Sequence, residues 1–254
     1  MFAELWQYVW LRPKLPYVKA MGFAKESIAM QSRAKRCAQQ WQSHYQHCQR
    51  AITDFVQQQS SHQHIMVMGA GSTQDIPLEY LSQTYQKVTL VDLVFLPAAR
   101  KRCRAWENIE LLEYDVTQSL HGIWLGSNEV KPPNQSMISA DIDAVISLNL
   151  VTQLPLLPLK WLRAHYSLSD AESEVLAQSL IQNHLNFLRR CRSALLIADV
   201  LGQSLEDGKV VDEYDPWWGI DVPHSPSQWT WEIIPDGEVR RHYQQRHRVM
   251  ALSL

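Results

Sequence analysis

Short apolar runs alternate with longer mixed segments over most of the chain. The runs at 65–68, 87–92, 109–115, 142–150 and 193–199 each have the length and composition of a buried strand, and most end in polar residues. Such runs are typical of parallel strands covered by helices on both faces. Since open α/β sheets bind ligands at the carboxyl ends of their strands, the pattern predicts a binding site at those polar ends.

The first run breaks directly into Gly69-Ala70-Gly71-Ser72, and a helix start is predicted from Asp75 onward. Glycine allows a sharp turn and lets a ligand approach bare backbone. A strand, a Gly-x-Gly turn and a helix N-terminus together favour a nucleotide-binding loop. An ordinary tight turn is the alternative, because this motif alone is weakly specific.

Acidic residues close the next two strands. Asp92 follows Gly71 by 21 residues, the spacing at which a carboxylate accepts hydrogen bonds from a ribose. Asp115 ends the third strand. The alternative for each acid is a helix cap or a turn former, since Asp favours both positions.

This order of motifs resembles the class I S-adenosylmethionine-dependent methyltransferases over roughly residues 62–254. The resemblance implies that the glycine loop passes under the methionine part of the cofactor, that the second-strand acid holds the ribose, and that the third-strand acid meets the adenine. Residues after strand four then line the place where cofactor meets acceptor. By position, the implied cofactor-binding residues are Gly69, Ala70, Gly71, Asp75, Asp92, Leu93, Asp115, Val116, Asn149 and Leu150.

Two positions depart from the pattern of that family. Val67 stands where the motif usually has an acid, and Thr73 replaces the third glycine. The acid supports a contact to the cofactor's amino group. Asp75, near the start of the following helix, is a candidate substitute for that carboxylate.

The C-terminal residues distinguish between nucleotide-binding folds. Asp236-Gly237 between two alternating runs is a strong hairpin signal. The resemblance implies a Rossmann-like, doubly wound, mostly parallel seven-stranded sheet that ends in such an antiparallel hairpin. Gln74 also stands at the third glycine of the dinucleotide fingerprint. An NAD-dependent oxidoreductase is therefore the less favoured alternative, and a catalytically silent methyltransferase-like binding protein is another.

The chain divides into a helical extension at 1–60 and a methyltransferase-like domain at 61–254. Apolar residues recur at three- and four-residue steps between Ser27 and Val56, which predicts one or two helices, whereas 8–21 is predicted to be irregular. The resemblance implies that the extension closes over the cofactor. Tyr17, Met21, Trp217 and Trp218 are the candidate acceptor-binding residues, and a core role for the tryptophan pair is the alternative.

No catalytic set is defined by the sequence, because methyl transfer needs a base only where the nucleophile is protonated. His184, Asp199, Tyr214 and His224 are the candidates. A packed helix residue is the alternative for His184. The resemblance does not identify the acceptor, its methylated atom or the oligomeric state.

Composition excludes several classes of protein. The net charge is −2, so binding of nucleic acid by overall charge is not indicated, and a compact small-molecule acceptor is favoured. The four cysteines form no CxxC pair and no export signal is evident, which predicts reduced thiols and a cytoplasmic location. His44, His47 and Cys48 lack a second ligand cluster, so no metal is expected. No apolar run is long enough to span a membrane, and no membrane partner is expected.

Overall fold

The computed structural model describes residues 2–134 and 141–254. The polar, proline-containing sequence at 126–140 predicts a surface loop, and its last residues, 135–140, lie outside the described residues. The helices are α1 (Phe2–Trp10), α2 (Tyr17–Ala20), α3 (Phe23–Arg36), α4 (Ala38–Gln57), α5 (Leu78–Thr84), α6 (Pro97–Cys103), α7 (Leu120–Trp124), α8 (Leu156–His165) and α9 (Asp170–Leu188). The strands are β1 (His64–Met68), β2 (Lys87–Asp92), β3 (Ile109–Glu113), β4 (Ile142–Leu148), β5 (Ala194–Glu206), β6 (Lys209–Tyr214), β7 (Ser227–Ile234) and β8 (Tyr243–Ser253).

The strands form one mixed sheet in the order β3-β2-β1-β4-β5-β8-β7. The first five are parallel, whereas β8 runs antiparallel to both β5 and β7. The predicted Rossmann-like, doubly wound sheet with a C-terminal antiparallel pair is confirmed. Its order reverses between β1 and β4, and such switch points are where open α/β sheets bind ligands.

The strand count differs from the prediction. The sheet has eight strands because β5 continues past the predicted end at Asp199, to Glu206, and then folds back through Asp207-Gly208 into β6. Residues 212–214, which the pattern of apolar runs does not mark as a strand, are the end of β6. Charged and exposed side chains on β6 hide its strand character from an apolar-run criterion, since only a hairpin with β5 holds it.

The central strands are buried on both faces. Every side chain of β1 and β4 is buried, and α4 covers one face while α9 covers the other. The sequence 167–172 predicts a helix start with Ser169 or Ser167 as its cap. Helix α9 does begin after Ser169, because the Ser169 hydroxyl accepts the Glu172 N–H and the Glu172 carboxylate accepts the Ser169 N–H. The two faces therefore form separate apolar layers that fix the sheet between them.

The N-terminal residues are more helical than predicted. Helices α3 and α4 confirm the periodicity, but α1 reaches Trp10 and α2 begins at Tyr17 within the segment predicted to be irregular. Propensity is a weak guide for such short helices, whose stability comes from packing. Trp41, Ile52 and Phe55 of α4 belong to the same core as β1 and β7, so α4 is part of the sheet layer.

No helix among the described residues is long and apolar enough to cross a lipid bilayer.

Candidate functional site

The Gly-x-Gly turn lies at the carboxyl end of β1, and each glycine has a specific reason to be there. Gly69 has φ +82, and a Cβ on it would lie 2.3 Å from the Leu148 carbonyl oxygen. A Cβ on Gly71 would lie 2.8 Å from Asp92 Oδ2. The turn is therefore pressed between the ends of β2 and β4, which leaves no room for larger residues.

Asp92 and the turn are joined directly. The Gly71 N–H donates to Asp92 Oδ2 at 2.8 Å, and the Leu93 N–H donates to Oδ1 at 2.8 Å. Burial raises the pKa of Asp92 to about 6, against the opposing effect of these backbone donors. Each carboxylate oxygen has a second lone pair, so the group still accepts further hydroxyl donors.

Asp115 lies at the end of β3 but is engaged by its own turn. Its Oδ1 accepts from the Thr117 N–H and hydroxyl, and its Oδ2 accepts the Leu120 N–H at 2.9 Å. These contacts match the alternative prediction for Asp115, in which the residue stabilises its own turn. Burial raises the pKa of the Asp115 carboxyl, and burial, with a smaller effect from the charge of Asp115, raises the pKa of Tyr17.

Asp75 and Asn149 meet above the turn, and Val67 does not take part. Val67 is fully buried in the apolar layer of β1. The Asn149 side-chain amide, carried on a residue with φ +49, donates to Asp75 Oδ2 at 3.1 Å. Asn149 Oδ1 is buried without a hydrogen-bond partner among the described residues. Asp75 is buried too, and burial raises its pKa.

Two side chains of α4 complete this group. His44 Nε2 lies 3.4 Å from Asn149 Nδ2 and 3.6 Å from Cys48 Sγ. The ligand atoms of His44, Cys48 and Asp75 lie within 4.8 Å of one another, close enough to consider a metal. The Asp75 carboxylate was missing from the cluster that the sequence indicates, because the loop at 75 and helix α4 meet only in the fold.

The tautomer of His44 argues against a metal. The Trp229 ring N–H donates to His44 Nδ1 at 3.1 Å, and a tryptophan N–H is only ever a donor. Burial lowers the pKa of His44 to about 3, so the ring is neutral and accepts at one nitrogen only. The Trp229 contact is shorter than the 3.4 Å approach of Asn149 Nδ2 to Nε2, and Asn149 already donates to Asp75, so we assign the ring proton to Nε2, which faces Cys48. The lone pair that a metal needs is therefore absent on that side.

We expect zinc to leave the protein unchanged. Adding equimolar Zn²⁺ or removing metals with a chelator should shift Tm by less than about 1 °C, because a protonated Nε2 and a neutral Cys48 thiol offer no site. Differential scanning calorimetry measures this directly. In Trp229→Phe the tautomer is no longer fixed, so that variant is the informative comparison. A zinc-dependent rise in the Tm of the wild type would contradict the tautomer assignment.

The N-terminal segment reaches the carboxyl edge of the sheet. Tyr17 and Met21 are buried in an apolar cluster with Val94, Leu120 and Leu154, which follow β2, β3 and β4. The Lys14 N–H also donates to the Glu113 carboxylate at the end of β3. The segment thus lies over the site end of the sheet, as a lid would, and its role toward an acceptor stays a prediction.

The two adjacent tryptophans differ in their surroundings. Trp217 is fully buried, and its ring N–H donates to the Asp199 carbonyl at 2.7 Å, so it fills the core. Trp218 lines a cavity of about 490 Å³ with Leu159, Lys160 and Arg163 of α8. Trp218 alone therefore has the exposure that contact with an acceptor requires.

The catalytic candidates are widely separated. His184 is buried on α9, where burial lowers its pKa to about 4, and its Nε2 lies 2.8 Å from the Ser147 hydroxyl. The burial of His184 and its contact with Ser147 favour the alternative prediction, in which His184 is a helix residue packed in the core. His224 is exposed in the segment before β7. Asp199 and Tyr214 are instead brought together by His247, which the sequence does not indicate because the signal is strand register rather than a motif.

Comparisons with known proteins give remote likenesses only. No family profile and no curated protein sequence matches the chain. The N-methyltransferase NodS from Bradyrhizobium japonicum is 11% identical over 80% of this chain and 93% of its own, with a TM-score of 0.37. A complex of DhpI with SAH is 13% identical over 88% and 95%, with a TM-score of 0.38.

A third solved structure is much longer than this chain. Haemonchus contortus phosphoethanolamine N-methyltransferase 1, bound to phosphoethanolamine and S-adenosylhomocysteine, is 16% identical over 62% of this chain, with a TM-score of 0.37. This chain spans 26% of its length. At TM-scores below 0.5 these likenesses carry no argument, so the description of the fold rests on strand order and register.

Proposed function

We propose that the protein is an S-adenosylmethionine-dependent methyltransferase that acts on a small-molecule acceptor. The observation that carries the proposal is the convergence of Gly71 and Asp92 at the switch point of the sheet. Their 2.8 Å hydrogen bond joins a glycine, which has no Cβ atom, to a carboxylate that has further lone pairs for hydroxyl donors. A nucleoside with free ribose hydroxyls fits that pairing.

The neighbouring residues suit the rest of the cofactor. Asn149 Oδ1 is a buried acceptor without a partner in the described structure, and the Asp75 carboxylate lies beside it. An ammonium group donates to both, so Asp75 takes the place of the acid that Val67 does not supply. Leu93, Val116 and Leu150 are half-buried apolar residues along the same edge, and they suit the faces of an adenine.

The chemistry expected from this arrangement is a displacement at carbon. When bound, S-adenosylmethionine supplies a methyl group to an acceptor nucleophile, and the electron pair of the broken carbon–sulfur bond stays on sulfur. The protein holds the two molecules in line and excludes water, and such positioning provides much of the rate. Tyr17 and Met21 over the carboxyl edge, and Trp218 beside α8, suit the exclusion of water.

A catalytically silent binding protein is the second candidate. Asp115 is already satisfied by its own turn, and His44 and Cys48 occupy the space above Asn149. If a nucleoside does not displace those contacts, the protein keeps this fold but binds no cofactor. The competing functions therefore differ in a single measurable property, the affinity for the nucleoside.

Calorimetry with three ligands separates the candidates. We expect S-adenosylmethionine and S-adenosylhomocysteine to bind with micromolar Kd and NAD not to bind. Binding of neither sulfur compound would favour the silent protein, and preferential binding of NAD would favour an oxidoreductase. Label from S-adenosylmethionine recovered only in RNA or protein fractions of a cell extract would contradict the small-molecule acceptor.

A further inference from the structure

Four neighbouring strands align a row of side chains beside the candidate site. Tyr214 on β6 pairs with Gly202 on β5, Gly202 pairs with His247 on β8, and His247 pairs with Trp231 on β7. Paired residues on adjacent strands project from the same face. Tyr214 and His247 are therefore two strands apart, with only a glycine between them.

Gly202 is what lets these two side chains meet. A Cβ at this position would lie 2.0 Å from Cζ of Tyr214, because the tyrosine ring lies flat across the glycine. The Tyr214 hydroxyl consequently reaches His247 Nε2 at 2.6 Å. Any larger residue at 202 displaces the ring and breaks that hydrogen bond.

A β-bulge brings Asp199 to the same face. Asp199 pairs with Val249 and Gly202 pairs with His247, so three residues of β5 advance against two of β8, and the register shifts between 199 and 201. Without the extra residue Asp199 and Gly202 would project to opposite faces. With it, Asp199 Oδ2 lies 3.1 Å from His247 Nδ1, close enough for an ion pair but without the alignment of a hydrogen bond, since Nδ1 has no hydrogen-bond partner among the described residues.

The resulting chain of groups runs from solvent into the protein. Tyr214 is 39% exposed, the His247 side chain is 12% exposed, and Asp199 is 6% exposed. Asp199 Oδ1 is buried and has no hydrogen-bond partner among the described residues. Trp231 packs edge-on against His247 and stacks on His44, so the row adjoins the group formed by Asp75, Asn149 and Cys48.

We propose that Tyr214, His247 and Asp199 form a proton relay, and that the acceptor presents a hydroxyl group. This inference rests on the proposed methyl transfer. As the acceptor oxygen attacks, its proton moves to Tyr214 Oη, while the proton of Tyr214 moves to His247 Nε2. Asp199 Oδ2 lies beside Nδ1, and its charge stabilises the imidazolium that forms. The proton later leaves to solvent through Tyr214.

The double transfer follows from the surroundings of Tyr214. Burial, with a smaller effect from the charge of Asp199, raises its pKa to about 12, so a free phenolate is not available near neutral pH. The tyrosine accepts a proton only as it gives its own to His247. A hydroxyl acceptor needs this help because it keeps its proton at neutral pH, whereas a carboxylate has already lost its proton and a thioether sulfur has none.

The first test reads the histidine without any ligand. NMR of the full chain with ¹⁵N-labelled histidine, assigned through His247→Gln, should show a proton on Nδ1 of His247 and none on Nε2, because the Tyr214 hydroxyl donates to Nε2. Tyr214→Phe should shift the Nε2 resonance, and Asp199→Asn should move proton population to Nε2. Tyr243→Phe is the matched control, since that tyrosine on β8 contacts Ser204 instead. An Nε2–H tautomer in the wild type would overturn the relay.

The second test uses labelled S-adenosylmethionine and a matched panel of one ring carrying a phenol, an alcohol, a carboxylate or a thioether. We expect label in the hydroxyl compounds, a fall in kcat of about 10²–10⁴-fold for Tyr214→Phe and His247→Gln, and an unchanged Kd for the cofactor. Tyr243→Phe should keep its rate. Label confined to the carboxylate or thioether, no label in any hydroxyl compound, or full activity of Tyr214→Phe would overturn the proposal. If the wild type binds no S-adenosylmethionine, the proposed function fails, and the first test still decides the geometry.

Discussion

Replacing Gly69 by alanine should destabilise the protein by roughly 3–5 kcal/mol. The positive φ of this residue disfavours any L side chain, and the new methyl group would lie 2.3 Å from the Leu148 carbonyl oxygen. Neither atom can move easily, because the methyl carbon is bonded directly to the backbone after β1 and the carbonyl oxygen belongs to the backbone at the end of β4, and both strands are buried. Chemical denaturation followed by circular dichroism measures the change in the free energy of unfolding.

Gly237 provides a matched control for this substitution. It has the same φ of +82, but no atom lies within 4 Å of a Cβ built on it. Gly237→Ala should therefore cost only the backbone strain, about 1 kcal/mol. Equal losses in the two variants would show that the contact with β4 does not constrain the turn.

The Gly-x-Gly turn and Asp92 were predictable because they depend on local sequence. A β-strand that ends in glycines and a second strand that ends in an acid fix their own geometry once the strands are parallel and adjacent. The 2.8 Å bond between Gly71 and Asp92 follows from that adjacency. The individual strands and the C-terminal hairpin were accessible for the same reason, since apolar runs and the Asp236-Gly237 signal are local features, whereas the doubly wound arrangement of the sheet was implied only by the family resemblance.

The Tyr214–His247–Asp199 row could not be predicted in this way. It depends on which residues of β5, β6 and β8 lie opposite one another, and on a bulge at 199–201 that no residue type marks. Asp199 and Tyr214 were identifiable as polar residues near strand five. His247, in a run of consecutive polar residues at 244–248, carries no signal until register places it between Asp199 and Tyr214.

The same limit applies to the group above the turn. His44 and Cys48 suggest a metal when only their helical spacing is known. The hydrogen bond from Trp229, 185 residues away in the chain, is what fixes the tautomer and changes the chemical conclusion. Tertiary contacts of this kind decide the protonation state, and protonation decides what the group can bind.

Replacing Asp92 by alanine should weaken binding of S-adenosylmethionine by roughly 1–3 kcal/mol, because the ribose hydroxyls lose a charged acceptor. Isothermal titration calorimetry gives the Kd. Asp221→Ala is the control, since that residue is exposed in the segment before β7. An unchanged Kd for Asp92→Ala would mean that this carboxylate does not hold the cofactor.

The pH dependence of binding provides an independent check on Asp92. Burial raises its pKa to about 6, so acid converts the carboxylate to a neutral acid that is a poorer acceptor for hydroxyl donors. The Kd of the wild type should therefore rise about tenfold per unit as the pH falls below 6. The contribution of Asp92 to folding has the opposite sign: its folded pKa lies above the ordinary 3.8, so this group favours the folded state increasingly as the pH falls from 6 toward 4. In Asp92→Asn, the part of the pH dependence that Asp92 contributes should disappear, both from the Kd and from the free energy of unfolding. A wild-type Kd that stays constant between pH 7 and 5 would show that the charge of Asp92 plays no part in binding.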